Sequence, residues 1–141
     1  MKNIKLLDCT LRDGGYYNRW DFSKNLISDY LSCMKDCSVD YIELGFRTLK
    51  NVGFKGDCAY SKNEFINSII KFSEPKVGIM INGSEILNNY QYSQKNAETL
   101  FSSEIKSKLK LVRIACHYDE INKILPICDY LKKKNYTVGI N

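Results

Sequence analysis

An arginine and an aspartate stand side by side at Arg12-Asp13, just past a short apolar run that ends Leu6-Leu7-Asp8, and Gly14 and Gly15 follow them. Arginine keeps its charge and holds anionic oxygens through a planar fork, while aspartate offers a hard oxygen donor. A further acid, Glu43, lies inside the apolar stretch Tyr41-Ile42-Glu43-Leu44. A carboxylate there loses heavily to desolvation unless a cation faces it. Arg12 and a bound metal ion are both candidates, and a purely structural Glu–Arg pair is the simpler alternative. Other polar residues close the remaining apolar runs: Arg47 shortly after the second, Asn82 after the third, His117 after the fourth and Asn141 after the fifth. Taken singly, Asn82, His117 and Asn141 fit ordinary loop polarity or helix caps. Taken with Arg12, Asp13 and Glu43, they put a hydrogen-bonding or charged group at the end of every run.

The elements that must position these groups follow from periodicity. Ile4 to Asp8 reads as a first strand. Leu26, Ile27, Tyr30, Leu31 and Met34 mark one face of a helix, with Ser23 as its N-cap. Asp40 to Gly45 is a second strand. A glycine-bearing loop follows it, then Ser61 as a cap before the helical face Phe65, Ile66, Ile69 and Ile70. Pro75 introduces a third strand, Lys76 to Ile81. Gly83 to Ser93 reads as a polar loop, followed by a weaker helix carrying Ala97, Leu100, Phe101 and Ile105. Leu109 to Cys116 is a fourth strand. Ile121, Ile124, Leu125, Cys128 and Leu131 mark another helix, in which Pro126 must sit in the first turn or introduce a kink. Tyr136 to Ile140 is a fifth strand.

This alternation, at a spacing of roughly 25 to 37 residues, is that of βαβ units and implies a parallel sheet covered by helices. In such architectures chemistry gathers at the carboxyl ends of the strands. A dinucleotide-binding sheet would carry G-x-G-x-x-G after its first strand. The corresponding turn, Thr10-Leu11-Arg12-Asp13-Gly14-Gly15, has neither that spacing nor a neutral neighbour for a pyrophosphate.

Composition narrows the class further. The chain of 141 residues is 44% hydrophobic and 26% charged, with a formal net charge of +5. Its basic residues are dispersed, peaking only at Lys132, Lys133 and Lys134, where cations suit a helix C-terminus. A nucleic-acid footprint would gather them on one face. No apolar run is long enough to span a membrane, and the N-terminus reaches an acid too early for a secretion signal. Six cysteines form no C-x-x-C pair, which predicts reduced thiols and a cytoplasmic location.

The run Asp8-Cys9-Thr10-Leu11-Arg12-Asp13-Gly14 resembles the D-x-T-L-R-D-G signature of the DRE-TIM metallolyase superfamily. That group includes the HMG-CoA lyases, the isopropylmalate synthases and the 4-hydroxy-2-oxovalerate aldolases. Ile42-Glu43-Leu44-Gly45-Phe46 is similar to its I-E-x-G segment at strand two. Val112-Arg113-Ile114-Ala115-Cys116-His117 resembles strand four of the oxovalerate aldolase branch, to which the likeness points most closely. The resemblance implies a divalent-metal-dependent aldolase or lyase, cleaving or forming a carbon–carbon bond beside the carbonyl of a 2-oxo acid-type substrate through a metal-held enolate. By the same resemblance, Asp13 would be a ligand of Mn²⁺ or Mg²⁺ and Arg12 would stabilise the enolate oxygen. Glu43 would hold Arg12 or the metal shell in place. Asn82, His117 and Asn141, which the strand-end pattern supplies, are the candidate substrate-binding residues.

Two departures qualify it. A His lies three residues past the ligand Asp in the oxovalerate aldolases and serves as base; here that position is Tyr16, whose phenol is a poor base unless its pKa is lowered. The family also completes its metal site with H-x-H on a later strand, whereas this chain has one His. The expectation is therefore a partial TIM (β/α)8 barrel of about five parallel strands with covering helices. Residues 1–141 would form the N-terminal portion of one catalytic domain, truncated after strand five and inactive by itself. Tyr16, Tyr17, Asn18, Arg19 and Trp20 are expected over the barrel mouth, their mixture suggesting a polar or sugar-like substrate. The expected partner is a small 2-oxo acid, with no nucleic acid or membrane, and the open sheet edges of a partial barrel would favour association into homo-oligomers. The alternatives are a noncatalytic half-barrel that binds a ligand or partner, and a Claisen-type acyl-CoA condensing enzyme.

Overall fold

Five apolar runs pair edge to edge in the order in which the chain makes them. The computed structural model describes residues 4–50, 53–73, 75–89, 91–102 and 106–141. Its elements are β1 (Leu7–Asp8), α1 (Thr10–Asn18), α2 (Lys24–Asp36), β2 (Tyr41–Phe46), α3 (Asp57–Tyr60), α4 (Asn63–Ile69), β3 (Lys76–Asn82), β4 (Leu87–Asn88), β5 (Gln91–Tyr92), α5 (Gln94–Phe101), β6 (Leu109–Ala115), α6 (Ile121–Lys133) and β7 (Thr137–Ile140). The main sheet runs β1-β2-β3-β6-β7 and is parallel throughout. An open doubly wound sheet reverses strand order at a switch point. No reversal occurs here, and the fold is an α/β half-barrel, five parallel strands of a TIM barrel with interleaved helices.

Strand register sorts the side chains into two layers. Ile42 pairs with Val77, Ile79 with Val112 and Ile81 with Ile114. This outer row meets Ile27 and Leu31 of α2, Ile66 of α4, Ala97 of α5, and Ile124, Ile127 and Leu131 of α6 in one core. Ile42, Leu44, Ile79, Ile81, Val112 and Ile114 are all 0% exposed, and each such side chain withdrawn from water contributes about 1.5–3 kcal/mol. The inner row alternates with it: Glu43 beside Gly78, Gly78 beside Leu111, Met80 beside Arg113, and Arg113 beside Gly139. This concave face is thus partly charged and partly glycine rather than uniformly apolar. Gly139 leaves room for its neighbour, since a Cβ there would lie 3.2 Å from Cγ of Arg113.

The structure corrects the sequence reading in several places. Thr10 to Asn18 is a helix that begins one residue after β1, where the sequence reading has a turn over Thr10 to Gly15. Its two glycines weaken helix propensity, but tertiary packing overrides that at Gly15, where a Cβ would meet Cδ1 of Trp20 at 2.0 Å. Ser61 is no N-cap: it is buried, adopts a left-handed conformation at the end of α3, and donates its hydroxyl to the Cys58 carbonyl. The described residues between Gly83 and Ser93 form a 3-10 turn over Gly83–Ile86 and an antiparallel pairing of β4 with β5. Leu26 and Leu125 face outward, 49% and 47% exposed, and Ile127 takes the buried place on α6. Pro126 lies within α6, past its first turn. Ser23 caps α2 as expected, accepting from the Leu26 N–H at 3.2 Å. Ile105 lies outside the described residues.

Candidate active site at the carboxyl edge of the sheet

Asp8, the last residue of β1, anchors the helix that carries the reactive pair. Its carboxylate accepts from the Thr10 N–H at 2.9 Å, from the Thr10 hydroxyl at 3.1 Å, and from the Tyr30 phenol of α2. Burial works against the charge, yet these hydrogen bonds prevail and hold the Asp8 pKa below its ordinary value. At the other end of α1, Arg19 and Trp20 both adopt left-handed backbone conformations. That reversal folds the Trp20 indole back onto Gly15, and its Nε1–H donates to the Arg12 carbonyl at 2.9 Å. Arg12 is therefore positioned from both ends of a short helix.

Its guanidinium lies over β2. Arg12 Nε donates to Glu43 Oε2 at 2.8 Å, and Nη1 pairs with Asp13. Arg113, on the inner row of β6, donates from Nη1 to the same Glu43 oxygen at 3.1 Å. The same Arg113 nitrogen lies 3.4 Å from Cys9 Sγ, and Nη2 donates to the Asn141 side-chain carbonyl. Glu43 is fully buried, while the Arg12 and Arg113 side chains are 15% and 17% exposed. Burial opposes the Arg12 charge, but the Glu43 contact more than offsets it and raises the Arg12 pKa. Burial and the Glu43 charge push the Cys9 thiol upward, which keeps it protonated near neutral pH.

Two features of this cluster can do chemistry. Arg12 spends Nε and Nη1 on carboxylates and leaves Nη2 with no ion partner among the described residues. The second carboxylate oxygen of Glu43, Oε1, is buried with no hydrogen bond. The carboxylate thus fixes two guanidiniums at the mouth of the half-barrel, each on a side chain that stays partly exposed.

The predicted site residues fall into three groups. Arg12, Asp13, Glu43 and Asn141 meet in or against the cluster. Tyr16 and Asn82 line an adjoining pocket of about 300 Å³ with Trp20, Phe46, Lys50, Lys55 and Glu85. There Tyr16, Trp20 and Phe46 pack edge to face, with ring centroids 4.8 to 6.1 Å apart. His117 stands apart: it is exposed, and its backbone N–H donates to the Glu120 carboxylate at 3.0 Å at the start of the 3-10 turn Tyr118–Glu120. Arg47 also turns away from the rim. Its buried guanidinium donates to the Ser61 and Leu100 carbonyls and to Asn63, tying α4 to α5.

Arg113 is the functional candidate that sequence reasoning passed over as a site residue. Its signal resembled that of Glu43, a charge between apolar strand residues Val112 and Ile114. A larger cleft, about 630 Å³, lies at the opposite edge of the sheet among Lys71, Lys76, Lys106 and Lys110. It is lined by no carboxylate among the described residues and faces the strand ends that in parallel barrels serve stability rather than chemistry.

The described residues bring no three His, Cys, Asp or Glu side chains together as a metal-binding group. Asp13 does suit one position of a hard-cation site: it is a carboxylate, 61% exposed at the rim. No helix among the described residues is long and apolar enough to cross a membrane.

No family model and no curated protein matches the chain. Among solved structures it is similar to the N-terminal domain of a provisionally assigned aldolase from Bacteroides vulgatus. The TM-score is 0.84 at 29% identity, over 98% of this chain and 44% of that one. The chain is thus related in sequence and fold to the N-terminal part of that protein and spans less than half of its length.

Proposed function

We propose that this chain supplies the Arg12 side of an aldolase or lyase site that makes or breaks a carbon–carbon bond beside the carbonyl of a 2-oxo acid-type substrate. The observation that carries the reading is the cluster in which buried Glu43 clamps Arg12 and Arg113 at the carboxyl edge of β1, β2 and β6. Breaking such a bond leaves electrons on the carbonyl oxygen, and a fixed donor aimed there stabilises the transition state more than the ground state. Arg12 has the free amino group for that task. Glu43 keeps the guanidinium from swinging toward solvent, and Arg113, steadied by Asn141, adds a second positive group for the substrate carboxylate. Asp13 would be one ligand of a divalent metal such as Mn²⁺ or Mg²⁺, with the other ligands from outside the described residues. When bound, the metal would polarise the substrate carbonyl.

Tyr16 follows Arg12 by one helical turn. Its phenol, exposed at the pocket, is the group here that would carry a proton to or from the substrate. Asn82 would bind the substrate through the same pocket. His117, exposed just past β6, would add a substrate contact from the rim.

The test is turnover of 2-oxo acid aldols against Mn²⁺ concentration, in the protein that carries this chain. Asp13→Ala should need far more Mn²⁺ and recover part of its activity when it is supplied. Arg12→Lys should bind metal normally and lose about 10²–10³ in turnover, the usual cost of one oxyanion donor. Full activity in both variants would sink the reading by moving the chemistry away from Arg12 and Asp13, and no turnover in the parent protein would leave a noncatalytic half-barrel as the better account.

A further inference from the structure

The pocket beside the Arg12 cluster has a positive end that the chemistry at Arg12 does not call for. We infer that this end receives a phosphoryl group at the far end of the substrate, held between Lys50 and Lys55 against Trp20. The inference rests on reading Arg12 and Asp13 as the reacting end, and adds what would separate this substrate from a plain 2-oxo acid.

Both lysines are positioned but unspent. Lys55 Nζ lies 5.4 Å from the centre of the Trp20 ring, a cation–π contact that sets the ammonium against the pocket wall. Lys50 leaves a loop fixed by Glu85, whose two oxygens accept from the Thr48 hydroxyl and the Leu49 N–H, each at 2.6 Å. The Lys50 N–H then donates to the Thr48 hydroxyl oxygen at 3.1 Å. Neither lysine forms an ion pair with a carboxylate among the described residues.

Two ammonium groups that line one small pocket, with no carboxylate paired to either among the described residues, favour an anion there. A phosphate monoester suits them, because it carries close to two charges at pH 7 and presents three acceptor oxygens to donors from different directions. Ser84 and Asn82 line the same pocket and can add uncharged donors. Glu85 is the opposing charge, and its hydrogen bonds aim it at the loop it holds. Tyr16 lines the pocket one helical turn from Arg12, and Trp20 lines it while donating to the Arg12 carbonyl, which ties the pocket to the reacting end. At about 300 Å³ it suits a chain of few carbons.

Trp20 is the sole tryptophan, so its fluorescence reads this pocket directly. The chain is titrated with glycerol 3-phosphate, inorganic phosphate and glycerol, and the measurement is repeated in Lys50→Met, Lys55→Met and Arg12→Lys, with circular dichroism confirming that each variant is folded. Saturable quenching by the ester is expected, weakened about tenfold by either lysine substitution and unchanged in Arg12→Lys. Glycerol should give no response. Inorganic phosphate should bind more weakly than the ester, whose carbons meet Tyr16 and Phe46. Equal binding would assign the pocket to free phosphate and overturn the substrate reading. A response indifferent to both lysines, or none at all, overturns the proposal itself. Calorimetric titration with pyruvate separates the two readings: pyruvate binding indifferent to Arg12, beside lysine-dependent ester binding, would count against the reacting end alone.

Discussion

Replacing Glu43 by Gln changes one charge and almost no volume, at the point where three elements meet. Glu43 is fully buried and gives one oxygen to Arg12 Nε at 2.8 Å and Arg113 Nη1 at 3.1 Å. At an effective dielectric near 20, charges about 4 Å apart attract by roughly 4 kcal/mol per pair. Repulsion between the two guanidiniums and the cost of burying the carboxylate offset part of that sum. Removing one partner of a buried pair typically costs about 3–5 kcal/mol, and since both arginine side chains are partly exposed the lower end applies. A loss of about 3 kcal/mol corresponds to roughly 6–12 °C in Tm at this chain length. The assay is thermal and urea unfolding at pH 7, followed by circular dichroism. A double-mutant cycle with Arg113→Met isolates the cause, because deleting the orphaned guanidinium should recover part of the loss. A change below about 1 kcal/mol, the scale of an exposed ion pair, or strict additivity in the cycle would show that Glu43 does not clamp the arginines through its charge.

Gly15→Ala should destabilise by about 1–3 kcal/mol, the usual cost of overpacking, because the new methyl collides with the Trp20 ring 2.0 Å away; urea midpoints measure it, and a neutral result would mean that Trp20 does not seat there. Asp8 has a folded pKa below its ordinary value, so it contributes stability above about pH 4 that fades as pH falls through the lower folded value. Asp8→Asn should therefore flatten the acid limb of a stability–pH curve, and an unchanged limb would refute the Asp8–Tyr30–Thr10 network. Cys33 and Cys37 are exposed, whereas Cys58 is buried with its thiol pushed up to about 12. A disulfide reagent at pH 8 should label the first two rapidly and Cys58 only on unfolding; mass spectrometry of the labelled peptides decides.

The strands were legible because each is a short apolar run bounded by polar breaks, and their parallel pairing follows from the helices between them. Glu43 was legible for the opposite reason, as a charge where the pattern demands none. Arg113 carried the same signal but was absorbed into a motif match. Its link to Glu43 depends on strand register, which two runs 70 residues apart do not reveal. Helix α1 was hidden by Gly14 and Gly15, whose low propensity is overridden by an indole arriving from beyond the helix end. Ser61 was misread because serine before an apolar helical face looks like an N-cap, while its left-handed backbone conformation is not written in its side chain. The β4–β5 hairpin has strands of two residues each, too short to show alternation. His117 sits just past a strand end as expected, yet it is exposed and its backbone N–H is taken by Glu120 of the next turn.

The central claim is that Arg12, held by Glu43, stabilises negative charge on the oxygen of a 2-oxo acid. The most direct measurement needs no knowledge of the aldol partner: exchange of the pyruvate methyl protons with D₂O, followed by proton NMR in the presence of Mn²⁺ and the protein that carries this chain. Enolisation is the half-reaction that the claim requires. The account predicts protein-dependent exchange that falls about 10²–10³ in Arg12→Lys, and falls in Glu43→Gln at temperatures where that variant remains folded. Exchange that proceeds equally well in the folded Arg12→Lys and Glu43→Gln variants would contradict it.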